Sequence, residues 1–135
     1  MTETFLLVDG YSLAFRAFFG MPDTLRDPFG RPVHAVYGFF SVLFNRISSL
    51  NARYVAVAWD VGRPWREEIF PDYKVGRQDI DPAVEEQVIR MKPVLSAMQM
   101  AQYGVAGFEA DDIMATLARQ AAEYGGFETV VMSGD

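Results

Sequence analysis

The sequence predicts an α/β domain of three layers, in which a central and mostly parallel sheet is covered by helices on both faces. Three observations carry this expectation. Short apolar runs alternate along the chain with longer segments of helical period. The runs are apolar throughout, without an alternation of polar residues, as strands buried on both faces require. Three of them, moreover, finish in aspartate.

Taken in order, "FLLVD" (5–9) is a buried strand ending in Asp9 and followed by Gly10. "YSLAFRAFFG" (11–20) is a helix with Gly20 and Pro22 as stop signals. Residues 21–32, rich in Pro, Gly and Asp and without period, form a loop. Residues 33–50 place Val36, Phe39, Phe40, Leu43, Phe44 and Ile47 on one wide apolar helical face. "YVAVAWD" (54–60) is the second strand, again closed by an aspartate. Residues 61–81 are charged and interrupted by Gly62, Pro64, Pro71 and Gly76, a connection too long for an idle turn. Residues 82–101 read as helix with Pro82 at its first position, and Pro93 predicts a kink or break. Residues 102–108 are a short strand or extended link. A helix over 109–126 follows, with Ile113, Leu117, Ala121 and Tyr124 on its apolar side and Gly125-Gly126 at its end. The last strand, "FETVVMSGD" (127–135), finishes in Asp135. His34 is expected to be structural. Met91, Met98, Met100 and Met114 are expected to fill core, and so is Trp59.

Composition narrows the function classes. One domain over residues 1–135, with 50% apolar residues, accounts for the chain. No stretch reaches the roughly 18 apolar residues of a membrane span. "MTETFLLVDG" has neither the basic region nor the cleavage site of a signal peptide, which suggests a cytoplasmic address. The absence of Cys excludes disulfides and thiolate zinc sites, and a single His argues against a His-rich metal site or a Ser-His-Asp triad. The net charge of −6 speaks against a nucleic-acid partner only until its distribution is considered. With Asp9, Asp60, Glu109, Asp111, Asp112 and Asp135 set aside, acidic and basic residues balance at 12 each. Arg63, Arg66, Lys74 and Arg77 meanwhile crowd into one segment.

The stretch "GFEADDI" (107–113) puts three acids at a predicted helix start. A helix N-terminus tolerates one or two through its partial positive charge. Further carboxylates nearby would change the balance, since two charges about 4 Å apart repel by roughly 4 kcal/mol at an effective dielectric near 20. In an open parallel sheet, ligands sit beyond the carboxyl ends of the strands. Asp9, Asp60 and Asp135 all fall at strand ends, so they and the acidic triplet are expected at one rim. Each acid alone can be a turn former, an N-cap or a dipole complement. Together they point to a divalent cation, and all-oxygen ligands select a hard ion, magnesium or manganese. The basic segment is either a solvated loop paired with Glu67, Glu68 and Asp72, or a positive arm that holds phosphate near the metals. Trp65, Phe70 and Tyr73 lie where they could stack on bases.

"LLVDG", "AFRAFF", "VHAVYGFF", "AWD", "WREEIFPDYKVGR", "GFEADDI" and "VMSGD" follow one another in an order and spacing that resembles the 5′-nuclease domain of bacterial DNA polymerase I. Related groups are the phage 5′-exonucleases, the flap endonucleases and, more distantly, the PIN-domain nucleases. The resemblance covers the whole chain. "YKVGR" at 73–77 followed by "EADD" at 109–112 is its most specific part, and "WD" in place of the commoner "FD" is a harmless departure. The resemblance implies a PIN-like fold and structure-specific cutting of DNA at 5′ ends, flaps or nicks, with two Mg2+ or Mn2+ ions. It implies that Asp9, Asp60, Glu109, Asp111, Asp112 and Asp135 bind metal. Lys74 and Arg77 would position and polarise the scissile phosphate, and Arg16 and Arg66 match further DNA-binding positions. A polymerase domain in the same or another polypeptide is an implied partner.

In the family, further metal-binding aspartates and a duplex-gripping helix-hairpin-helix element follow the "SGD" motif. The expectation is therefore an N-terminal 5′-nuclease domain that is incomplete at its C-terminus relative to the family, weak in DNA binding and in cleavage by itself. Two alternatives stand beside it: a non-catalytic module that binds DNA or a partner, and a PIN-type ribonuclease.

Overall fold

The computed structural model describes residues 2–61 and 81–133. Four parallel strands, β1 (Glu3–Asp9), β2 (Tyr54–Val61), β3 (Ala101–Ala106) and β4 (Phe127–Met132), form one sheet in the order β3-β2-β1-β4. Among the described residues, the helices between them are α1 (Gly10–Gly20), α2 (His34–Leu50), α3 (Pro82–Ala97) and α4 (Ala110–Tyr124).

The strand order explains where the helices lie. From β1 to β2 to β3 the chain advances in one direction across the sheet, and from β3 to β4 it returns past β1 to the far side. Right-handed crossovers in opposite directions must run over opposite faces. Accordingly α1, α2 and α3 pack together on one face, and α4 is, among the described residues, the helix that covers the other. The two-residue period of the central strands divides their apolar runs between the layers. Leu6, Val8, Val57 and Trp59 join the three-helix side, with Leu13, Phe39, Leu43, Val88 and Met91. Leu7, Ala56 and Ala58 face Ala110, Ile113 and Met114 of α4. The small alanines let a single helix sit close to the sheet.

Two glycines are set by close approach. A Cβ on Gly10 would stand 2.4 Å from Trp59 Cε3, so the first turn of α1 lies directly on the indole. A Cβ on Gly38 would stand 2.9 Å from the Ala17 Cβ, which is how α1 and α2 meet. Capping is partly non-local. Asp81 accepts from the Ala83 N–H (2.8 Å) to start α3. Val33 offers α2 no side-chain cap. The buried Gln87 of α3 supplies it instead, its Oε1 accepting from the backbone N–H groups of Ala35 (2.8 Å) and Val36 (3.2 Å). Arg90 ties the 21–33 loop to α3 through the Pro32 carbonyl and the Asp27 carboxylate.

Several expectations need correction. Pro93 neither breaks nor ends α3, which runs through it to Ala97. The carbonyl deprived of a donor belongs to Ile89, on the exposed side of the helix, where water can reach it. The helix then stops before 101, because Gln99 takes a positive φ of 60° and Met100 N–H closes onto the Leu95 carbonyl. This leaves Met98 exposed, while Met91 and Met114 are buried as expected. Phe44 and Tyr124, placed on apolar faces by periodicity, are also exposed, at 46% and 84%. The strands are not uniformly covered either, for the edge strand β3 is exposed along nearly all its length. β2 continues one residue past Asp60, to Val61, and β4 ends at Met132. Trp59 and His34 are buried, at 3% and 2% exposure, in agreement with their structural reading.

The Gly10 contact yields a stability test. Gly10→Ala should lower folding free energy by about 1–3 kcal/mol through overpacking, read as a lower urea midpoint. Gly20→Ala, with nothing within 4 Å of the new methyl, should be neutral or stabilising. Equal midpoints for the two variants would show that helix and indole separate freely.

Candidate metal centre at the carboxyl rim

Asp9 closes β1 and, in the same step, opens α1. Its extended backbone (φ −77°, ψ 105°) suits an N-cap, and its Oδ1 accepts from the Ser12 N–H at 3.2 Å. The side chain is 6% exposed. Burial raises its pKa above the ordinary 3.8, and the charges of Asp60 and Asp111 raise it further, while the bonds from Ser12 oppose the shift. Asp9 lies beside the point where the strand order reverses, with β2 on one side and β4 on the other, which is the ligand position of an open parallel sheet.

Asp60 stands two residues beyond Ala58, the register partner of Asp9, and so reaches further past the rim. Its parity along β2 matches Ala56 and Ala58, which turns it to the α4 side. There its Oδ1 accepts from the Ala110 N–H at 2.7 Å, docking the N-terminus of α4 onto β2. The acidic triplet divides its work. Glu109 and Asp112 form a reciprocal capping box, with the Glu109 N–H donating to Asp112 Oδ2 at 3.0 Å and the Glu109 side chain accepting from the Asp112 N–H. Glu109 is buried and Asp111 is exposed. Asp111 lies close enough for its charge to act on Asp9.

The structure thus brings Asp60 and Asp111 each within electrostatic reach of Asp9, with Glu109 and Asp112 at the same helix start as Asp111. Among the described residues, no group of three or more His, Asp or Glu side chains is placed to hold a metal ion by itself. Oxygens of Asp9, Asp60 and Asp112 are engaged with helix N–H groups. A carboxylate has about four acceptor sites, so one such bond leaves it able to ligate. The donor set is all oxygen, and its buried member ionises against two like charges, so a hard divalent cation fits both its chemistry and its electrostatics. Arg16 is exposed on α1, about 9 Å along the helix axis from Gly10. Arg66, Lys74, Arg77 and Asp135 lie outside the described residues, as do Arg63, Trp65, Phe70 and Tyr73.

Behind the carboxylates is a polar group that periodicity does not reveal. The Tyr11 hydroxyl donates to Glu85 Oε2 at 2.8 Å, across 74 residues of sequence. The phenol pKa is pushed far above its ordinary value by burial first, then by the bond to Glu85 and the charges of Glu85 and Asp60. The Lys92 ammonium lies 5.0 Å from the Trp59 ring centroid and 5.9 Å from that of Tyr11. Trp59 Nε1–H donates to Gln102 Oε1 at 3.0 Å. The one sequence clue was the place of Tyr11, two positions after Asp9.

The state of Asp9 sets a pH dependence. The folded protein holds the Asp9 proton more tightly than the unfolded chain, so ionisation removes stability as pH rises above 3.8. Asparagine keeps an oxygen for the Ser12 N–H and carries no charge. In EDTA near neutral pH, Asp9→Asn should melt at or above the wild-type temperature, with the difference shrinking as the solution is acidified. A lower melting temperature for the variant at neutral pH would contradict the account of burial and repulsion.

Residues 4–135 match the family model of the 5′-3′ exonuclease N-terminal resolvase-like domain. DNA polymerase I of Bacillus subtilis is 42% identical over 138 residues, an alignment covering 100% of this chain and 16% of that protein. DNA polymerase I of Chloroflexus aurantiacus is 40% identical over 131 residues, covering 96% of this chain and 14% of the relative. Among solved structures, the bacteriophage T5 D15 protein co-crystallised with metal ions superposes with a TM-score of 0.69 at 22% identity, covering 98% of this chain and 49% of that one. The T5 D15 flap endonuclease in a pseudo-enzyme-product complex with DNA and metal ions gives 0.67, also at 22% identity and with the same coverage. At that identity the likeness shows a shared fold. The chain spans a small part of its polymerase relatives and about half of the phage proteins; it belongs to the family of 5′-3′ exonuclease N-terminal resolvase-like domains.

Proposed function

We propose that this chain carries the N-terminal part of a divalent-metal-dependent 5′-3′ exonuclease and flap endonuclease site acting on DNA. The observation that carries the reading is the buried Asp9 carboxyl, which meets the charges of Asp60 and Asp111 at the reversal point of a parallel sheet. Family membership and the phage flap endonuclease bound to DNA and metal support it.

Asp9, Asp60 and Asp111 would hold Mg2+ or Mn2+, with Glu109, Asp112 and Asp135 completing the acidic surround. Bound divalent ions supply a clamp on the attacking and leaving oxygens of an in-line phosphoryl displacement, and they lower the pKa of water. The chain's own groups give this centre its shape. Ser12 N–H orients Asp9, and Ala110 N–H orients Asp60. The capping box holds α4 so that Asp111 stays beside Asp9. Lys74 and Arg77 would hold and polarise the scissile phosphate, and Arg66 and Arg16 would contact the DNA backbone. Such contacts are indifferent to base sequence and weaken as salt rises. A polymerase domain, as in the relatives, would act on the same DNA.

A 5′-flap cleavage assay with Mg2+ or EDTA, on this chain and on one extended past Asp135, tests the reading. In the extended chain Asp111→Asn should abolish cleavage while the fold persists. Lys74→Ala or Arg77→Ala should each lower kcat by about 10²–10³, as expected for a lost electrostatic contact to the transferring phosphate. The melting temperature of either should hardly move. Near-normal turnover by Asp111→Asn would remove the metal assignment, and destabilisation without loss of cleavage would make the basic pair structural.

A further inference from the structure

Asp9 and Asp60 are each one residue away from the same contact. Gly10, next to Asp9, lies on the indole of Trp59, next to Asp60, with no room for a methyl group between them. The contact of α1 with Trp59 thus adjoins both carboxylates, at the end of the pairing that sets Asp9 opposite Ala58. Tyr11 joins this packing. Its ring meets the indole edge-on at 5.2 Å and 82°, and its hydroxyl reaches past the indole to Glu85 in the first turn of α3. Phe39, stacked at 6.1 Å and 10°, and Lys92 also hold the indole. Tyr11 is 7% exposed, so its hydroxyl is committed to the interior and to Glu85.

We propose that Tyr11 is a positioning residue of the metal centre: its hydrogen bond to Glu85 keeps the Gly10–Trp59 contact closed and so sets the spacing of Asp9 and Asp60. The proposal rests on the metal-centre reading above. Ligand spacing matters here because functional constellations tolerate displacements of only about 0.5 Å. Outer partners that orient ligands commonly change metal affinity by about 10–100-fold when removed.

The test is Mn2+ titration of the chain, with free Mn2+ read by electron paramagnetic resonance, together with the rise in melting temperature that Mn2+ produces. Tyr11→Phe keeps the ring and removes only the hydroxyl. It should weaken Mn2+ binding about ten-fold and shrink the Mn2+-induced rise in melting temperature. Glu85→Leu should do the same. Glu85→Gln, whose amide oxygen still accepts from the phenol, should restore binding. The double variant Tyr11→Phe/Glu85→Leu should bind no more weakly than either single one, because both remove the same bond. Asp9→Asn serves as the control that loses Mn2+. If the wild type binds, Asp9→Asn does not, and Tyr11→Phe binds as the wild type does, the proposal alone fails. It fails equally if Tyr11→Phe lowers the melting temperature without changing the Mn2+ increment, since that marks a purely structural bond. If the wild type takes up no Mn2+, or Asp9→Asn binds equally well, the metal-centre reading falls and the proposal with it.

Discussion

The closure of α1 onto Trp59 is the contact on which the rest of this architecture depends. A glycine at position 10 lets the helix backbone touch the indole, and that touch settles how β1 hands over to α1 beside the rim of β2. Both central strands are buried on both faces, so neither can slide to relieve a misfit without flipping its side chains between layers. Asp9, the last residue of β1, and Asp60, the last but one of β2, inherit that rigidity. A carboxylate on a loop would lose entropy on every binding event, whereas these two are ordered by the same packing that makes the core.

The acids are tolerable in one place because helix starts surround them. Asp9 caps α1, Asp60 accepts from the first residue of α4, and Glu109 with Asp112 closes the same terminus. Each draws on the partial positive charge of a helix N-terminus. That compensation is incomplete for Asp9, whose burial and neighbours still disfavour its charge. A site of this kind is held together by the fold and left electrostatically hungry. In the proposed reading a counter-ion would relieve that strain, and the stability forgone without it is the usual counterpart of function.

Much of this was legible from the chain alone, for identifiable reasons. The apolar runs at 5–9 and 54–60 mark strands covered on both faces, and the aspartates that end them mark the rim. Periodicity found each helix, but it misplaced Phe44 and Tyr124, because a 3.6-residue period says which residues share a face and not how far the neighbouring layer extends. Among the described residues α4 is the helix on its face with no second helix beside it, and Tyr124 in its last turn is 84% exposed. Pro93 was misread because a proline is harmful only where the carbonyl it strands is buried, and burial is a tertiary property. Tyr11–Glu85 and Gln87 with α2 were invisible for the same reason: single hydrogen bonds across more than fifty residues leave no local pattern. The place of Asp9, Asp60 and the acids of α4 at one rim was legible from position, while their division into caps and a residual charged member needed the coordinates.

Gln87 has one more implication, for the order in which the chain can fold. α2 begins with backbone N–H groups whose acceptor belongs to a residue made some fifty positions later. During synthesis the segment through β2 therefore emerges with an unfinished helix start and with β1 still lacking β4, its other neighbour. The first half of the domain should therefore be less settled until α3 docks and supplies this acceptor. The domain should accordingly gain its structure late and in one cooperative step, with the acidic rim assembled only when nearly the whole chain is in place.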